Sequence, residues 1–238
     1  MICVISQPTF LPWIGWFDLA DQANVMIILD DVSFSKQSWQ QRNRLRTQSG
    51  LQFLTVPVKT SGRLGQKLFD CQLADQPFVG KMLKNIQANY YRSPFFAQNI
   101  KELATVIETA AETRSLVELN SALIYWMTCK LGVKTPMIRS STLSVAGQRG
   151  EHVAALCEYT GADNYLSPAG AADYLLKDKE SFDRRGIMIW LHEYEHPEYR
   201  QRYLPFMPYA SALDLIFNMG DEAQNIMRSG RRLSKALI

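Results

Sequence analysis

The amino-acid sequence predicts an α/β fold, built on a largely parallel sheet with a helical insertion. Two continuous apolar runs, at residues 2–6 and 25–29, have the pattern of strands that are covered on both faces. A helical stretch at about 14–22 separates them, which indicates a right-handed βαβ unit. A long helical region at 78–131 interrupts the later alternation of strands and helices. The expected fold is therefore a Rossmann-like sheet with an insertion.

The remaining elements follow in chain order. Strands are predicted at 53–58, 68–73, 136–139, 164–167 and 186–191, and helices at 150–159 and 211–218. The insertion divides into three helices, because Ser93-Pro94 ends the first and Gly132 follows the last. Arg228, Arg231, Arg232 and Lys235 are expected to belong to a basic, mobile tail. Residues 1–238 are thus predicted to form a single α/β domain with a helical insertion around 78–131.

The composition is that of an ordinary globular protein, with 47% apolar and 21% charged residues. A net charge of +3 is too small to indicate nucleic-acid binding by itself. The four cysteines lie in apolar stretches without CxxC spacing, so buried free thiols in a reducing compartment are expected. Pro8, Pro12 and Gly15 interrupt the apolar N-terminus, and no other segment approaches a membrane span, so we expect a cytoplasmic protein.

The motif HEYEH at 192–196 matches the HExxH pattern of zinc proteases, in which both histidines lie one turn apart on a helix. Here an apolar strand leads into the motif, and Pro197 disfavours helical backbone at His196. We therefore predict no metal site. On a strand, His192, Tyr194 and His196 share one face. His196 is a candidate general acid or base; the alternative is a histidine that is hydrogen-bonded at a strand end.

Polar residues follow the first two strands, at the points where ligands bind in open parallel sheets. Gln7 follows the first strand, and the pair Asp30-Asp31 follows the second. Two carboxylates there could hold a metal or a sugar hydroxyl, or they could be exposed turn residues. Ser167 occupies the corresponding position after a later strand.

The run SFSKQSWQQRNRLR at 33–46 includes Lys36, Trp39, Arg42, Arg44 and Arg46 and no acidic residue. Arginine side chains suit phosphate or carboxylate groups, and aromatic rings suit the face of a sugar or a base. The run could also bind RNA, although four charges are few for that purpose, or it could be a solvated basic loop. The amides of residues 147–150 (GQRG) precede a predicted helix and could hold an anion.

Several stretches occur together and in a fixed order: SQPTFLPWIGWF, LDDVSFSKQSWQQRNRLR with FLTVPV, SSTL, GADNYLSP, YEHPEYRQ and SALDLIFNMG. In this they resemble the WbqC-like family over nearly the whole chain. The resemblance carries over Gln7, Pro8, Trp13, Gly15, Asp30, Asp31, Lys36, Trp39, Arg42, Asn43, His196 and Asp214. The sequence departs from the family where Pro168 replaces a glycine and Ser33 a glutamine, which could alter ligand fit at both loops.

The family occurs in bacterial gene clusters for O-antigen and other surface glycans. The resemblance therefore implies a cytoplasmic transferase of surface-polysaccharide sugar biosynthesis, and we expect acyl or aminoacyl transfer to a nucleotide-linked amino sugar. A sugar nucleotide or an activated acyl donor is the expected partner, and no cofactor is identified. Nucleic acid is not expected as a partner, although transfer RNA stays open. A non-catalytic role in ligand binding or assembly in the same pathway is one alternative.

Nucleotidyl transfer is the other alternative, and a second, weaker similarity bears on it. Strand, turn, helix and strand at the N-terminus have the layout of nucleotidylyltransferases with a His-x-Gly-His turn. Trp13-Ile14-Gly15-Trp16 stands at the position of that turn. Both histidines, which stabilise the transferred phosphate, are missing from it.

We assign catalysis to His196 and Asp31. The residues assigned to substrate binding are Gln7, Trp13, Asp30, Lys36, Trp39, Arg42, Asn43, Ser167 and Asp214. Gln7, Asp31, Arg42 and His196 are expected to converge on one pocket at the carboxyl edge of the sheet. A nearby Asp31 would raise the pKa of His196, whereas apolar walls alone would lower it.

Overall fold

The computed structural model describes residues 1–237, which contain a six-stranded sheet with helices on both faces. The strands are β1 Ile2–Ser6, β2 Val25–Ile28, β3 Arg42–Thr47, β4 Gly50–Thr55, β5 Met137–Arg139, β6 Asn164–Pro168, β7 Met188–His192 and β8 Lys235–Ala236. The helices are α1 Ile14–Asp21, α2 Val79–Tyr90, α3 Phe96–Glu112, α4 Leu116–Lys130, α5 Arg149–Tyr159, α6 Ala172–Lys177, α7 Lys179–Asp183, α8 Leu213–Met219 and α9 Ala223–Ser229. Within residues 1–237, none of these helices has the length and apolar character that a membrane span requires.

The strand order in the sheet is β5-β2-β1-β6-β7-β8. The first five strands run parallel, and β8 pairs antiparallel with β7. The chain adds strands on one side of β1 as far as β5 and then on the other side from β6, so the direction of crossover reverses between β1 and β6. Such a switch point opens a crevice at the carboxyl ends of the strands, where ligands bind in open α/β sheets. The predicted α/β, Rossmann-like class is confirmed.

Both faces of the sheet are covered. Val4 of β1 faces an apolar cluster that includes Phe17 of α1 and side chains of α2, α3, α4 and α8. Cys3 and Ile5, on the opposite face of the same strand, join a second cluster with α5 and with Phe182 of α7. Because neither face meets water, the central strands are continuous apolar runs, and the sequence pattern could identify them.

The helical insertion consists of α2, α3 and α4, which lie between β4 and β5 in the chain. Met82, Ile86 and Tyr90 are buried at four-residue intervals along α2, as expected for an amphipathic helix. The Ser115 side chain accepts a hydrogen bond from the backbone N–H of Glu118 and so caps α4. The prediction of three helices is confirmed. That residues 1–238 form a single domain stays a prediction.

β3 and β4 form an antiparallel hairpin that is separate from the main sheet. The strand predicted at 53–58 is thus β4, which begins at Gly50 and pairs with a segment that has the composition of a loop. The sequence pattern does not predict β3, because the buried side chains of this strand include polar ones, among them Asn43 and Arg46. The guanidinium of Arg46 donates to the carbonyl oxygens of Thr47, Tyr203 and Pro205, which compensates its burial.

Two smaller predictions are wrong. Leu68–Asp70 form a 3-10 turn rather than the start of a strand at 68–73, and Gln72 and Leu73 take part only in isolated bridges. Cys129 is exposed, whereas the other three cysteines are buried. Tyr125, one turn earlier on α4, is also exposed, so this face of the helix meets solvent despite its apolar sequence.

The basic C-terminal segment is held against the fold. Arg228 and Arg231 pair with Asp21 at 2.8 and 2.6 Å, and Arg231 also pairs with Asp18 at 2.9 Å. β8 then pairs with β7. The prediction of a mobile tail is therefore wrong for residues 228–237, because acidic side chains of α1 bind it; Ile238 lies outside the described residues.

Candidate functional site

Polar side chains gather at the carboxyl edge of the sheet. β1, β2, β5, β6 and β7 are parallel, so the residues that follow them lie along the same edge. Gln7 follows β1, Asp30 and Asp31 follow β2, Ser140 follows β5, and His192 ends β7. The edge that sequence analysis identifies is therefore the one that carries the polar groups.

Asp30 ties the ends of β2 and β5 together. Its side chain is completely buried. It accepts hydrogen bonds from Arg139 Nε at 2.6 Å, from Ser141 Oγ at 2.7 Å and from the Ser141 amide at 2.9 Å. Arg139 also pairs with Glu118 of α4. Asp30 is thus neither an exposed turn residue nor a free ligand, because its oxygens are engaged by the protein itself.

Asp31 has a different environment, beside a histidine from α5. One carboxylate oxygen of Asp31 accepts from Ser140 Oγ at 2.6 Å, and the other lies 2.9 Å from His152 Nε2. His152 is buried, and its Nδ1 atom has no hydrogen-bond partner within residues 1–237. When Nε2 of the neutral ring donates to the Asp31 carboxylate, Nδ1 remains an unprotonated acceptor. The pair therefore leaves one basic nitrogen without a partner among the described residues, and that nitrogen is buried.

A cleft of about 520 Å³ adjoins this pair, and we name it the dyad cleft. Its lining consists of Gln7, Leu29, Val32, Arg149, His152, Val153, Tyr174, Lys177 and Asp178. The Asp178 carboxylate accepts from the Gly150 amide at 3.0 Å and so occupies the position at which residues 147–150 are predicted to hold an anion. Within the described residues, Arg149 and Lys177 form no ion pair, so the cleft carries two free positive charges. Arg149 also has a φ of +52°, a strained backbone for a residue with a side chain.

A second cavity lies on the other side of the turn that follows β1. It has a volume of about 240 Å³, and we name it the tryptophan cavity. Its lining consists of Thr9, Trp13, Trp16, Trp39, Asn43, Arg44 and Tyr209. The Asn43 amide donates to the carbonyl oxygens of Phe10 and Leu11 at 3.0 and 2.9 Å. Asn43 thereby shapes the turn, in which Leu11 has a φ of +44°.

Amide side chains connect the chain segments that contribute to the two cavities. Gln40 Nε2 donates to Gln7 Oε1 at 2.8 Å, so the residue after Trp39 contacts a residue of the dyad cleft. Asn120 of α4 donates to the carbonyl oxygens of Pro8 and Gln40, at 2.7 and 2.8 Å. These bonds hold the turn after β1 against the polar run at 33–46.

His196 lies among aromatic rings beside the tryptophan cavity. The ring centroids of Trp13 and Tyr209 are 6.0 and 5.3 Å from that of His196, and Tyr199 and Phe206 lie on its other sides. Burial lowers the pKa of His196, and the hydrogen bond to the Pro197 carbonyl opposes this only in part. The walls around His196 are apolar. Its pKa is therefore lowered, as expected for apolar walls alone, and is not raised by a nearby Asp31.

The remaining predicted site residues lie apart from the dyad cleft. Arg42 lies over the ring of Phe53, with 4.4 Å between the guanidinium carbon and the ring centroid, and Lys36 is exposed. Ser167 is completely buried at the end of β6 and lines neither cavity. Gln7 lines the dyad cleft and Asp31 adjoins it through His152, whereas His196 and Arg42 do not line that cleft.

The motif at 192–196 does not have the geometry of a zinc protease. His192 ends β7, and its Nε2 lies 2.8 Å from the buried Asp18 carboxylate. The structure confirms that a strand rather than a helix leads into the motif. Within residues 1–237, no group of three or more histidine, cysteine or acidic side chains is arranged to hold a metal ion.

Comparison with known proteins identifies the family. The sequence model of the WbqC-like protein family matches residues 7–226. The chain belongs to the WbqC-like protein family. It is similar to uncharacterized protein Rv1507c of Mycobacterium tuberculosis, with 32% identity over 229 residues, which cover 96% of this chain and 98% of that protein. No solved structure shows significant similarity to the chain. Both cavities of this WbqC-like protein lie within the matched range.

Sequence analysis of this WbqC-like protein misses His152, which is the partner of Asp31, and Ser140. Two signals point towards them. Ser140 begins the SSTL stretch at 140–143, and His152 lies two residues after the GQRG turn. The start of a helix that follows a parallel strand must lie at the carboxyl edge of the sheet, so residues in the first turn of α5 are candidates for any site there.

A test of the electrostatics near His196 uses Asp214. This carboxyl is completely buried and accepts from Tyr199 and Gln201, both at 2.8 Å. Burial raises its pKa from 3.8 to about 6, although these hydrogen bonds oppose the shift. The folded state therefore holds a proton that the unfolded state releases between pH 4 and 6. Stability contributed by the protonated acid is present below pH 4 and is lost as the pH rises through 6.

We expect the wild type to lose up to about 3 kcal/mol of unfolding free energy, relative to Asp214→Asn, as the pH rises from 4 to 7. Urea denaturation of both proteins across this range measures the difference, and the variant controls for all other titrating groups. A difference that does not change with pH would show that Asp214 ionises normally in the folded protein.

Proposed function

We propose that this WbqC-like protein is a transferase that passes an acyl or aminoacyl group to the amino group of a nucleotide-linked sugar. In this proposal His152 is the general base and Asp31 is its partner. The family resemblance supports a place in cell-surface sugar biosynthesis, where such amino sugars are modified. A cytoplasmic location belongs to the same proposal, because nucleotide-linked sugars are its substrates.

The observation that carries the proposal is the buried contact between Asp31 and His152, with Nδ1 of the ring uncommitted. Histidine changes its charge near neutral pH, so it can accept and return a proton within one catalytic cycle. A carboxylate on the other ring nitrogen fixes the tautomer and stabilises the imidazolium that forms. Ser140 donates to the same carboxylate and so orients it.

The transfer step requires one proton acceptor. The sugar amine attacks the carbonyl carbon of the activated acyl group; a C–N bond forms, and the bond from that carbon to the sulfur or oxygen of the donor breaks. The proton of the amine passes to Nδ1 of His152. It then leaves with the departing sulfur or oxygen, so His152 returns to its neutral form. No redox reagent takes part.

The charges of the dyad cleft suit a diphosphate. Arg149 and Lys177 line the cleft without an ion pair among the described residues. An arginine fork and a lysine ammonium are the groups that proteins use most often for phosphate oxygens. The position of the cleft beside β1, at the switch point of the sheet, also agrees with the general location of nucleotide sites in this class of fold.

This proposal moves the base from His196 to His152 and keeps the predicted role of Asp31. Within the described residues, His196 has no carboxylate at ion-pair distance, and burial lowers its pKa. The imidazolium that proton transfer creates would therefore lack a counter-charge at His196. At His152 the Asp31 carboxylate supplies it, 2.9 Å away.

The test is a transfer assay with defined reagents. Purified protein is incubated with UDP-glucosamine and either acetyl-CoA or glycyl-tRNA, and the nucleotide is analysed by mass spectrometry. We expect a gain of one acetyl or one glycyl group. UDP-N-acetylglucosamine, whose nitrogen is already acylated, is the matched control and should not change. Binding of UDP-glucosamine without transfer from either donor would contradict the proposal and favour a binding protein. Release of pyrophosphate from UTP and glucosamine 1-phosphate would favour nucleotidyl transfer.

A further inference from the structure

We infer that the tryptophan cavity is the subsite that binds the nucleobase and the adjoining phosphate of the sugar nucleotide. This inference rests on the proposed function and names the part of the substrate that the second cavity takes. Three tryptophans and one tyrosine line this cavity, which has a volume of about 240 Å³. Stacking on aromatic side chains is the common means of binding a base without reading its sequence.

Cationic groups and aromatic rings form a row that extends from Trp39, which lines this cavity. The guanidinium of Arg44 lies 5.3 Å from the centroid of the Trp39 ring, and that ring lies 6.0 Å from Phe53. Arg42 covers the other side of this row, 4.4 Å from the Phe53 centroid. Trp39 and Phe53 are about half exposed, at 48% and 50%, so their faces are open to a ligand.

Neither arginine is neutralised by the protein. Within residues 1–237, Arg42 and Arg44 form no ion pair, and the buried Nε of Arg44 has no hydrogen-bond partner. An uncommitted guanidinium that is stacked on a ring suits a phosphate beside a base, because its plane and its donors are then both satisfied. The backbone of Tyr209, which lines the same cavity, has a φ of +65°, a conformation that tyrosine adopts only where other contacts impose it.

The position of the tryptophan cavity relative to the dyad cleft fits one ligand in both. Gln7 lines the dyad cleft, and Thr9 lines the tryptophan cavity. Two residues of extended chain span at most roughly 7 Å, so these two lining residues lie close together. A nucleotide-linked sugar has its base at one end and its amino sugar at the other, with the diphosphate between. The base would lie in the tryptophan cavity and the amino group beside His152.

A nucleobase with a phosphate also occurs at the 3′ end of an RNA, so the experiment has two arms. Tryptophan fluorescence is titrated with UDP in one arm and with the trinucleotide CCA in the other. We expect UDP to bind and to quench the fluorescence, and we expect CCA to bind more weakly. Tighter binding of CCA than of UDP would overturn the assignment to a sugar nucleotide.

The variants are Trp39→Leu and Arg44→Gln, with Tyr125→Leu as the matched control for loss of an exposed aromatic residue on α4. Both cavity variants should bind UDP at least tenfold more weakly, measured by calorimetry, and the control should bind as the wild type does. Equal UDP affinity in all three variants, or no detectable UDP binding by the wild type, would refute the subsite.

Failure of the subsite and failure of the proposed function give different results. If UDP binds through Trp39 and no donor supports transfer, the subsite stands and the proposed reaction is wrong. If transfer occurs and is insensitive to Trp39→Leu and Arg44→Gln, the reaction stands and the subsite is wrong.

Discussion

Replacement of His152 by glutamine is expected to lower the rate of acyl transfer by about 10²–10⁴-fold, the usual contribution of a general base. Glutamine has nearly the length of histidine and can still donate to Asp31, but it offers no basic nitrogen. The loss should appear in kcat rather than in KM, because the proton is transferred only after the substrate is bound.

His192→Gln is the control for this prediction. His192 is also buried, and its Nε2 also lies close to a carboxylate, 2.8 Å from Asp18, but it does not line the dyad cleft. Each substitution replaces a buried histidine beside a carboxylate with the same residue, so both variants should lose similar unfolding free energy, at most about 1–3 kcal/mol. Only the His152 variant should lose activity. An equal loss of rate in both variants would show that His152 acts through stability alone.

The sequence predicts those elements of the fold in which the buried residues are also the apolar ones. β1, α1 and β2 were predictable because apolar side chains cover both faces of the sheet there. β3 was not, because Asn43 and Arg46 are buried and find their partners in distant segments. α6 and α7 span only six and five residues, too few to establish a helical period.

The candidate site divides in the same way. Gln7 and Asp31 were predictable because each follows a strand, and the position of strand ends is set by topology. The partner of Asp31 was not, because His152 lies 121 residues further along the chain and contacts Asp31 only in the folded structure. One sequence holds no record of such a contact. The sequence also does not show that Asp30 and Asp31 have different roles. In the structure Asp30 pairs with Arg139, and Asp31 pairs with His152.

Arg139→Ala is expected to have the largest effect on stability of any single substitution considered, a loss of about 3–5 kcal/mol of unfolding free energy. Asp30 is completely buried, and Arg139 is its ion-pair partner at 2.6 Å, so the variant leaves a buried charge without its counter-ion. Arg184→Ala is the matched control, because Arg184 is exposed and, among residues 1–237, pairs only with Glu151 and Glu180 at 3.2 and 4.0 Å. Exposed pairs of this kind contribute at most about 1 kcal/mol.

The double variant Arg139→Ala, Asp30→Asn isolates the cause of that loss. Asparagine removes the charge: its Oδ1 can accept from the Ser141 amide, and its NH2 group can donate to the Ser141 hydroxyl oxygen in place of the bond that Asp30 accepts. If the uncompensated charge is responsible, the double variant should be more stable than Arg139→Ala alone, which is a coupling that urea denaturation measures directly. Arg139 could instead act mainly through Glu118 and the packing of α4. In that case the two substitutions would lower the free energy of unfolding additively, and Arg139→Ala alone would lose less than about 3–5 kcal/mol. The sign of the coupling between the two substitutions therefore shows whether Arg139 stabilises this edge of the sheet through its charge or through packing.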